Sequence, residues 1–335
     1  MKYNLDPLIE KIRRTVRAHA LPEQPGAYAR WRWMDEAGKR SLGPNEYGCA
    51  DAANIDYILG DLPRDPALRQ ARVAALQQFQ HPDTGLFQEP THHPLHCTAH
   101  CTAALELFDA RPQYPLTGLD RFRSKEGLEG LLSGLDWYHA PWSEAHQGAG
   151  VFAAMILTGN ATPEWQDWYF DWLDGHVDPK YGMSLSGSVD GGTRPACEHL
   201  NGGCPYMFNY HFARRAYPRP ERLIDTCLKL YEDNALGESF GKGVNFREID
   251  WVFALNRTAM QTGYRFGESR EALRDFAGRY LPWLESLDED THDHWNDLHM
   301  LFGAVCAVAE LQIALPGELR SAYPLRPVLD RRPFI

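Results

Sequence analysis

The sequence has no run of eighteen apolar residues and no cluster of basic residues. A helix needs about 20 apolar residues to cross a bilayer, so we expect no membrane-spanning segment. Residues 1–20 carry too many charges for a signal peptide. The net charge is −11, with acids and bases interspersed, which argues against nucleic acid as a partner. We therefore expect a soluble, cytoplasmic protein, with homo-oligomerisation left open.

The sequence also has no Cys-x-x-Cys pair and few segments with the alternation of a strand. Its seven cysteines are an odd number in a chain of 335 residues, which is too long to need disulfides for its core. Most of them fall in predicted helices. We expect buried thiols in a reducing compartment.

Histidines crowd one short stretch, where His92, His96 and His100 accompany Cys97. This spacing resembles a set of metal ligands, but Pro94 interrupts the helix. Histidines four residues apart are by themselves a weak zinc signal. The sequence predicts neither a bound metal nor another cofactor.

Polar residues that open apolar, small-residue helices recur about every fifty residues, which is the signature of a repeat. The openers are Glu46, His96, His146, His199, Glu248 and Asp297. The helices that they open are predicted over 47–59, 95–108, 144–157, 201–214, 246–261 and 296–313. More polar, amphipathic helices are predicted over 6–20, 65–79, 119–133, 163–173, 220–231 and 269–284.

Twelve helices in six pairs predict an all-α fold, an (α/α)6 barrel with a single domain over residues 1–335. The small-residue helices would form an inner ring, because Ala and Gly allow close approach, and the amphipathic helices an outer ring. The inner helices would then run in one direction, so their polar openers would meet at one end. An open solenoid of helical hairpins is the alternative.

The pattern resembles the (α/α)6 toroid group, which includes six-hairpin glycosidases, polysaccharide lyases, sugar epimerases, terpenoid cyclases and protein prenyltransferases. The resemblance covers nearly the whole chain and is architectural. Residues 80–87 look like the Gln-x-x-x-Gly-x-Trp repeat of terpenoid cyclases with Phe87 in place of Trp, and residues 178–183 match it more weakly. The function therefore has to come from the site.

Carboxylates are the first candidates for catalysis at the end of the barrel where the polar openers are expected to meet. Asp51, Asp250 and Asp297 lie within apolar helices, where burial without a partner is costly. With Glu248 they form the predicted catalytic set. Helix capping alone could explain Glu46, because an acid in the first turn favours the helix dipole.

Glycoside hydrolysis needs two carboxyl groups across the scissile bond, one protonated and one ionised. We therefore predict a glycoside hydrolase acting on a small-molecule or oligosaccharide substrate. The predicted substrate-binding residues all lie near the helix openers. They are Glu46, Tyr47, His92, His96, His100, His146, Gln147, His199, Asn201, Tyr206, Arg247, Trp251, Trp295 and His299.

The histidines fit a second chemistry. The resemblance implies that sugar epimerases and uronate lyases of this architecture use His, Tyr and Arg to move a proton beside a carbonyl or carboxylate. His146, His199, His294 or His299, with Tyr47 or Tyr206, would supply such groups. A terpenoid-cyclase-like enzyme and a non-catalytic glycan-binding toroid are further alternatives.

Overall fold

The computed structural model describes residues 2–335, and their regular secondary structure is almost entirely helical, which confirms the all-α prediction. Within these residues the α-helices are α1 (Asp6–Ala18), α2 (Glu46–Leu59), α3 (Pro66–Gln77), α4 (Pro94–Glu106), α5 (Lys125–Gly134), α6 (His146–Leu157), α7 (Pro163–His176), α8 (Ser188–Gly191), α9 (Ala196–Phe212), α10 (Pro220–Glu232), α11 (Arg247–Thr262), α12 (Phe266–Ser286) and α13 (Leu298–Ala314). Two short strands, β1 (Tyr3–Asn4) and β2 (Leu319–Arg320), pair in parallel. Single 3₁₀ turns span Thr117–Phe122, Asp293–Trp295 and Val328–Asp330, and a π-helical turn spans Pro141–Ala145.

Local capping explains where the helices begin. The side chain of Asn45 accepts from Gly48 N and starts α2, and that of Thr162 accepts from Trp165 N and starts α7. Pro94 occupies the first turn of α4, where a missing N–H costs nothing. The predicted helix over 119–133 is wrong in its first turn, because the Ser124 side chain caps Gly127 N and starts α5 afresh.

The six small-residue helices contact one another in chain order. Helix α2 packs against α4, α4 against α6, α6 against α9, α9 against α11, and α11 against α13. Helix α13 then packs against α2. Burial follows the same division: α13 buries 14 of its 17 residues, whereas α10, which packs on α11 and α12, buries 5 of 13. The small-residue helices therefore form the interior.

Glycine permits the closest approaches between these helices and their loops. A Cβ at Gly202 in α9 would collide with the carbonyl of Pro141, and one at Gly303 in α13 with that of Asn245. Both glycines lie inside helices, where Gly costs up to about 1 kcal/mol relative to Ala. Close packing is the reason for carrying this cost, as the small-residue pattern predicted.

Among residues 2–335 there is no helix with the length and apolar character needed to cross a bilayer. All seven cysteines are free and buried. Burial raises the pKa of the Cys227 thiol, so the thiol stays protonated at neutral pH.

Exchanging glycine for alanine should separate close packing from helix propensity. Gly202→Ala should lower the free energy of unfolding by about 1–3 kcal/mol, because the new methyl overpacks against the Pro141 carbonyl. Gly130→Ala is the matched control, since Gly130 lies inside α5 with nothing near its missing Cβ. It should raise the free energy of unfolding by up to about 1 kcal/mol. Urea denaturation measures both, and equal effects would contradict the packing account.

Candidate active site

A cavity of about 150 Å³ lies among the N-terminal turns of five small-residue helices. The polar residues that line it are His92, His96, His146, Asn201, Asp250 and His299, and the others are Trp142, Pro205, Phe208, Phe246, Met300 and Ile335. Its residues His92, Trp142 and His146 also line an outer cavity of about 430 Å³. The outer cavity therefore adjoins the inner one and gives it a wider mouth.

Asp51 accepts hydrogen bonds from two histidines behind the cavity wall. Its Oδ1 lies 2.7 Å from His100 Nε2, and its Oδ2 lies 3.0 Å from His299 Nδ1. Burial raises the pKa of Asp51 and Glu46 adds to the rise, whereas the positive charges of Arg30 and Arg332 oppose it. The two N–H donors, which Asp250 lacks, favour the ionised form of Asp51. His299 lines the cavity with its Nδ1 already bonded, so Nε2 is the ring nitrogen left for a substrate.

Tyr47 contacts three histidines in and just before α4. Its ring stacks on His92 at 4.3 Å and on His100 at 4.8 Å between centroids, and its hydroxyl bonds Nδ1 of His96. His96 and His100 share one face of α4, and His92 lies in the loop before the helix. Burial, followed by the neighbouring His146, lowers the pKa of His96, which is uncharged at neutral pH.

His146 is fixed by the π-helical turn before α6. Its Nδ1–H donates to the Trp142 carbonyl, which can only accept, so Nε2 keeps its lone pair. Burial lowers the pKa of His146 to about 4. Its edge-on contact with the His96 ring, 4.7 Å between centroids, places two neutral imidazoles side by side. π-Helical turns such as the one before α6 often occur at functional sites.

Asp250 and Asn201 bring unpartnered polar groups to another part of the lining. The Asp250 carboxyl is 4% exposed and has no side-chain hydrogen bond within residues 2–335. Burial, followed by the nearby Glu248, raises the pKa of Asp250 well above its ordinary range, which favours the protonated form. Nδ2 of Asn201 is buried without a partner in the described chain. A substrate oxygen would satisfy the Asn201 amide and, in its protonated form, the Asp250 carboxyl.

Asp297 is occupied by a partner that the sequence analysis missed. Arg30, in the loop before α2, binds both Asp297 oxygens at 2.9 Å, and Asp297 also caps α13 at His299 N. Arg30 donates further to Thr91 Oγ1 at 2.8 Å. This geometry is that of a buried ion pair and helix cap, so Asp297 acts on the site by holding the start of α13 in place.

The other predicted acids lie behind the lining. Glu248 accepts from Gly241 N at 2.9 Å, and burial raises its pKa to about 8. Both carboxyl oxygens of Glu46 are buried without a partner in the described part, and burial followed by the charge of Glu89 raises its pKa. Neither residue lines the inner cavity. Burial favours the neutral form of both acids.

Several predicted substrate-binding residues serve other contacts. Trp251 donates to the Cys227 carbonyl and stacks on Tyr231, and Trp295 is fully buried near Lys11. The remaining four also lie outside the inner lining: Tyr206 bonds the Ala145 carbonyl, Gln147 donates to Glu144, His199 contacts Ser184 and Ser188, and Arg247 lies over the ring of Trp142.

The apolar residues that form the floor of the cavity were not predicted from the sequence. Ile335 lines it, and Phe334 contacts the His96 ring edge-on at 4.9 Å. No periodicity marks these last residues as part of a site. Trp142, which lines both cavities, was not predicted either, and its position just before the His146 helix was the available signal.

Asp51, His100 and His299 place ligand-type atoms within 4.8 Å of one another, the one such group found in residues 2–335. The two nitrogen–oxygen distances are ordinary for N–H···O bonds. A metal-bound imidazole nearly always donates its other N–H to a partner. Nδ1 of His100 is buried and has no partner in the described chain, which favours a hydrogen-bonded network over a metal site.

Comparison with known proteins gives no relative from which to assign the site. No protein-family model, curated protein or solved structure matches the chain.

Metal content is directly testable. We expect elemental analysis of the purified protein to find no stoichiometric metal, and dialysis against EDTA to leave the melting temperature unchanged, because Asp51 is satisfied by two N–H donors. One bound metal per chain that His100→Gln removes and the control His93→Gln retains would instead identify a metal centre.

Proposed function

We propose that the protein is an (α/α)6 toroid enzyme that moves a proton at the carbon beside the carbonyl of a sugar. The unbroken order of helix contacts, from α2 through α13 and back to α2, supports the toroid. The observation that carries the activity is the pair Asp51–His299, whose free Nε2 belongs to the cavity lining. The proposal takes up the epimerase or lyase alternative of the sequence analysis.

His299 is the proposed base. Burial lowers its pKa, and the Arg30 charge lowers it further, so the ring is neutral and its lone pair is free at neutral pH. When Nε2 takes a proton, the ring becomes an imidazolium whose Nδ1–H faces a carboxylate at 3.0 Å. This arrangement orients the base and stabilises the charge that forms on it.

Asp250 and Asn201 are the proposed acid and oxyanion stabiliser. Burial favours the protonated form of the Asp250 carboxyl, and Nδ2 of Asn201 has no partner in the described residues. Both would donate to the carbonyl oxygen of a substrate. Donors that are already oriented where negative charge develops stabilise a transition state without reorganising.

The reaction balances with these groups alone. His299 takes the proton from the carbon beside the carbonyl, and the C–H electron pair becomes a C=C bond. The carbonyl π pair moves to oxygen, which receives the proton of Asp250, and an enediol forms. The His299 imidazolium then returns the proton to the neighbouring carbon, while the hydroxyl on the other carbon of the enediol gives its proton to the Asp250 carboxylate and becomes the carbonyl, so an isomer forms and both groups are restored. An epimer forms when the enediol turns its other face to the same imidazolium before the proton returns to the original carbon.

Glycoside hydrolysis is the second candidate. It needs a second carboxyl across from the first, and Asp250 is the one acid among the described residues that line the inner cavity. Glu198 lines the outer cavity, which is the observation that keeps a hydrolase in consideration. Within the inner cavity, neutral imidazoles predominate, and this favours proton transfer.

Isotope exchange tests the proposal. The wild-type protein, incubated in D₂O with aldoses and ketoses of three to seven carbons, should introduce deuterium beside the carbonyl of at least one sugar, measured by proton NMR. His299→Gln and Asp250→Asn should each slow exchange by about 10²–10⁴-fold, as expected for loss of a general base or an oxyanion donor.

Two buried polar residues away from the cavity provide matched controls. His19→Gln removes an imidazole bonded to the Ala29 carbonyl, and Asp178→Asn changes a carboxyl that holds a loop. Both variants should exchange deuterium at the wild-type rate. Absence of exchange together with Asp250-dependent hydrolysis of nitrophenyl glycosides would replace the proposal by a glycosidase.

The pH profile provides a second test of the same roles. Exchange requires neutral His299, whose pKa is lowered by burial, so activity should fall only as the pH drops through a midpoint below 6.5. Asp51→Asn should move this midpoint lower still, because it removes the carboxylate that stabilises the imidazolium. A midpoint that stays in place in Asp51→Asn would contradict the pairing of Asp51 with the base.

A further inference from the structure

The last residues of the chain pass into the space between the small-residue helices. Asp330 bonds His211, near the end of α9, at 2.7 Å, and Arg331 binds Glu106, the last residue of α4, at 2.9 Å. The segment 328–335 therefore meets α4 and α9 near their C-terminal ends, whereas His96 of α4 and Asn201 of α9 line the cavity from the N-terminal halves of these helices.

The segment then continues toward the cavity. The Pro333 carbonyl accepts from Asn209 Nδ2 at 2.8 Å, and Asn209 is itself held by the Tyr169 hydroxyl at 2.5 Å. Phe334 is fully buried against the His96 ring, and Ile335 lines the cavity. The residues 332–335 are all buried. Their side chains therefore belong to the interior of the protein.

Arg332 strengthens the case that this path is specific. Its side chain is fully buried, and none of its three guanidinium nitrogens has a hydrogen-bond partner within residues 2–335. Burying such a charge is costly, so nonspecific collapse of an apolar tail would exclude it. Its positive charge opposes the rise in the pKa of Asp51, the carboxylate behind the proposed base.

We propose that Phe334 and Ile335 are specificity-determining residues, which form the floor of the cavity and limit the length of the sugar that it accepts. The proposal rests on the proposed function for the identity of the substrate. Ile335 meets the substrate end, and Phe334 supports His96 from the side. Polar groups from α9, α11 and α13 surround the reacting carbon, while this floor faces the part of the sugar beyond it.

Shortening Ile335 tests the floor. Ile335→Ala removes three carbons from the lining, and Leu329→Ala removes three carbons from a buried position of the same segment outside the lining. Both variants are tested with aldoses and ketoses of three to seven carbons. Exchange in D₂O and the rise in melting temperature with each sugar are measured side by side.

Ile335→Ala should shift the preferred chain length upward and change the ratio of long to short sugars by about tenfold or more, the discrimination that methylene-sized changes in a pocket provide. Leu329→Ala should keep the wild-type ratio. Equal profiles in both variants would overturn the proposal. Selective binding of longer sugars by Ile335→Ala, without exchange by any variant, would support the floor and refute proton transfer.

The contact between Phe334 and His96 can be tested independently, in a measurement without substrate. Phe334→Leu should move the Cε1–H resonance of His96 in the proton NMR spectrum, because an aromatic ring 4.9 Å away is removed. The resonance is assigned by its loss in His96→Gln, and Leu329→Ala should leave it in place. An unmoved His96 resonance in Phe334→Leu would show that the segment does not form the floor.

Discussion

The carboxylate of Asp51 joins three helices at the point where the first and last small-residue helices meet. Asp51 lies on α2, and its two hydrogen-bond donors lie on α4 and α13. A buried carboxylate costs several kcal/mol unless its oxygens are satisfied and opposite charge is near. The imidazoles satisfy the oxygens, and Arg30 and Arg332 supply the charge. If any of these three helices moved away, the buried Asp51 carboxylate would lose a partner. Asp51 therefore holds the three helices together.

The contact between α13 and α2 is reinforced by other polar bonds between distant parts of the chain. Arg30 binds Asp297 through both oxygens, and its carbonyl accepts from Leu298 N at 2.9 Å. Beyond the end of α13, β2 pairs with β1, which precedes α1. Apolar helices of similar composition can slide past one another, so the directional bonds of Arg30 fix the start of α13 against the loop before α2.

The helix pattern was predictable from the sequence, whereas the direction of each side chain was only partly so. Small-residue helices with polar first turns recur about every fifty residues, and this identified His96, His146, Asp250 and His299 near one cavity. Trp251 and Trp295 were misplaced by the same reasoning. A helix in the interior is apolar on almost every face, so its hydrophobic pattern does not tell which face meets the cavity.

Contacts between distant parts of the chain set the limit of sequence reasoning. Asp297 lies just before an apolar helix, and Asp250 lies in the first turn of another. From the sequence, both are predicted to be buried acids that need a partner. What separates them is Arg30, which is 267 positions from Asp297 and pairs with it, while no cation contacts the Asp250 carboxyl in the described chain. The first acid is consequently engaged as a structural group, whereas burial without a cation favours the protonated form of the second. One long-range ion pair thus separates the surroundings of two acids that look alike in the sequence.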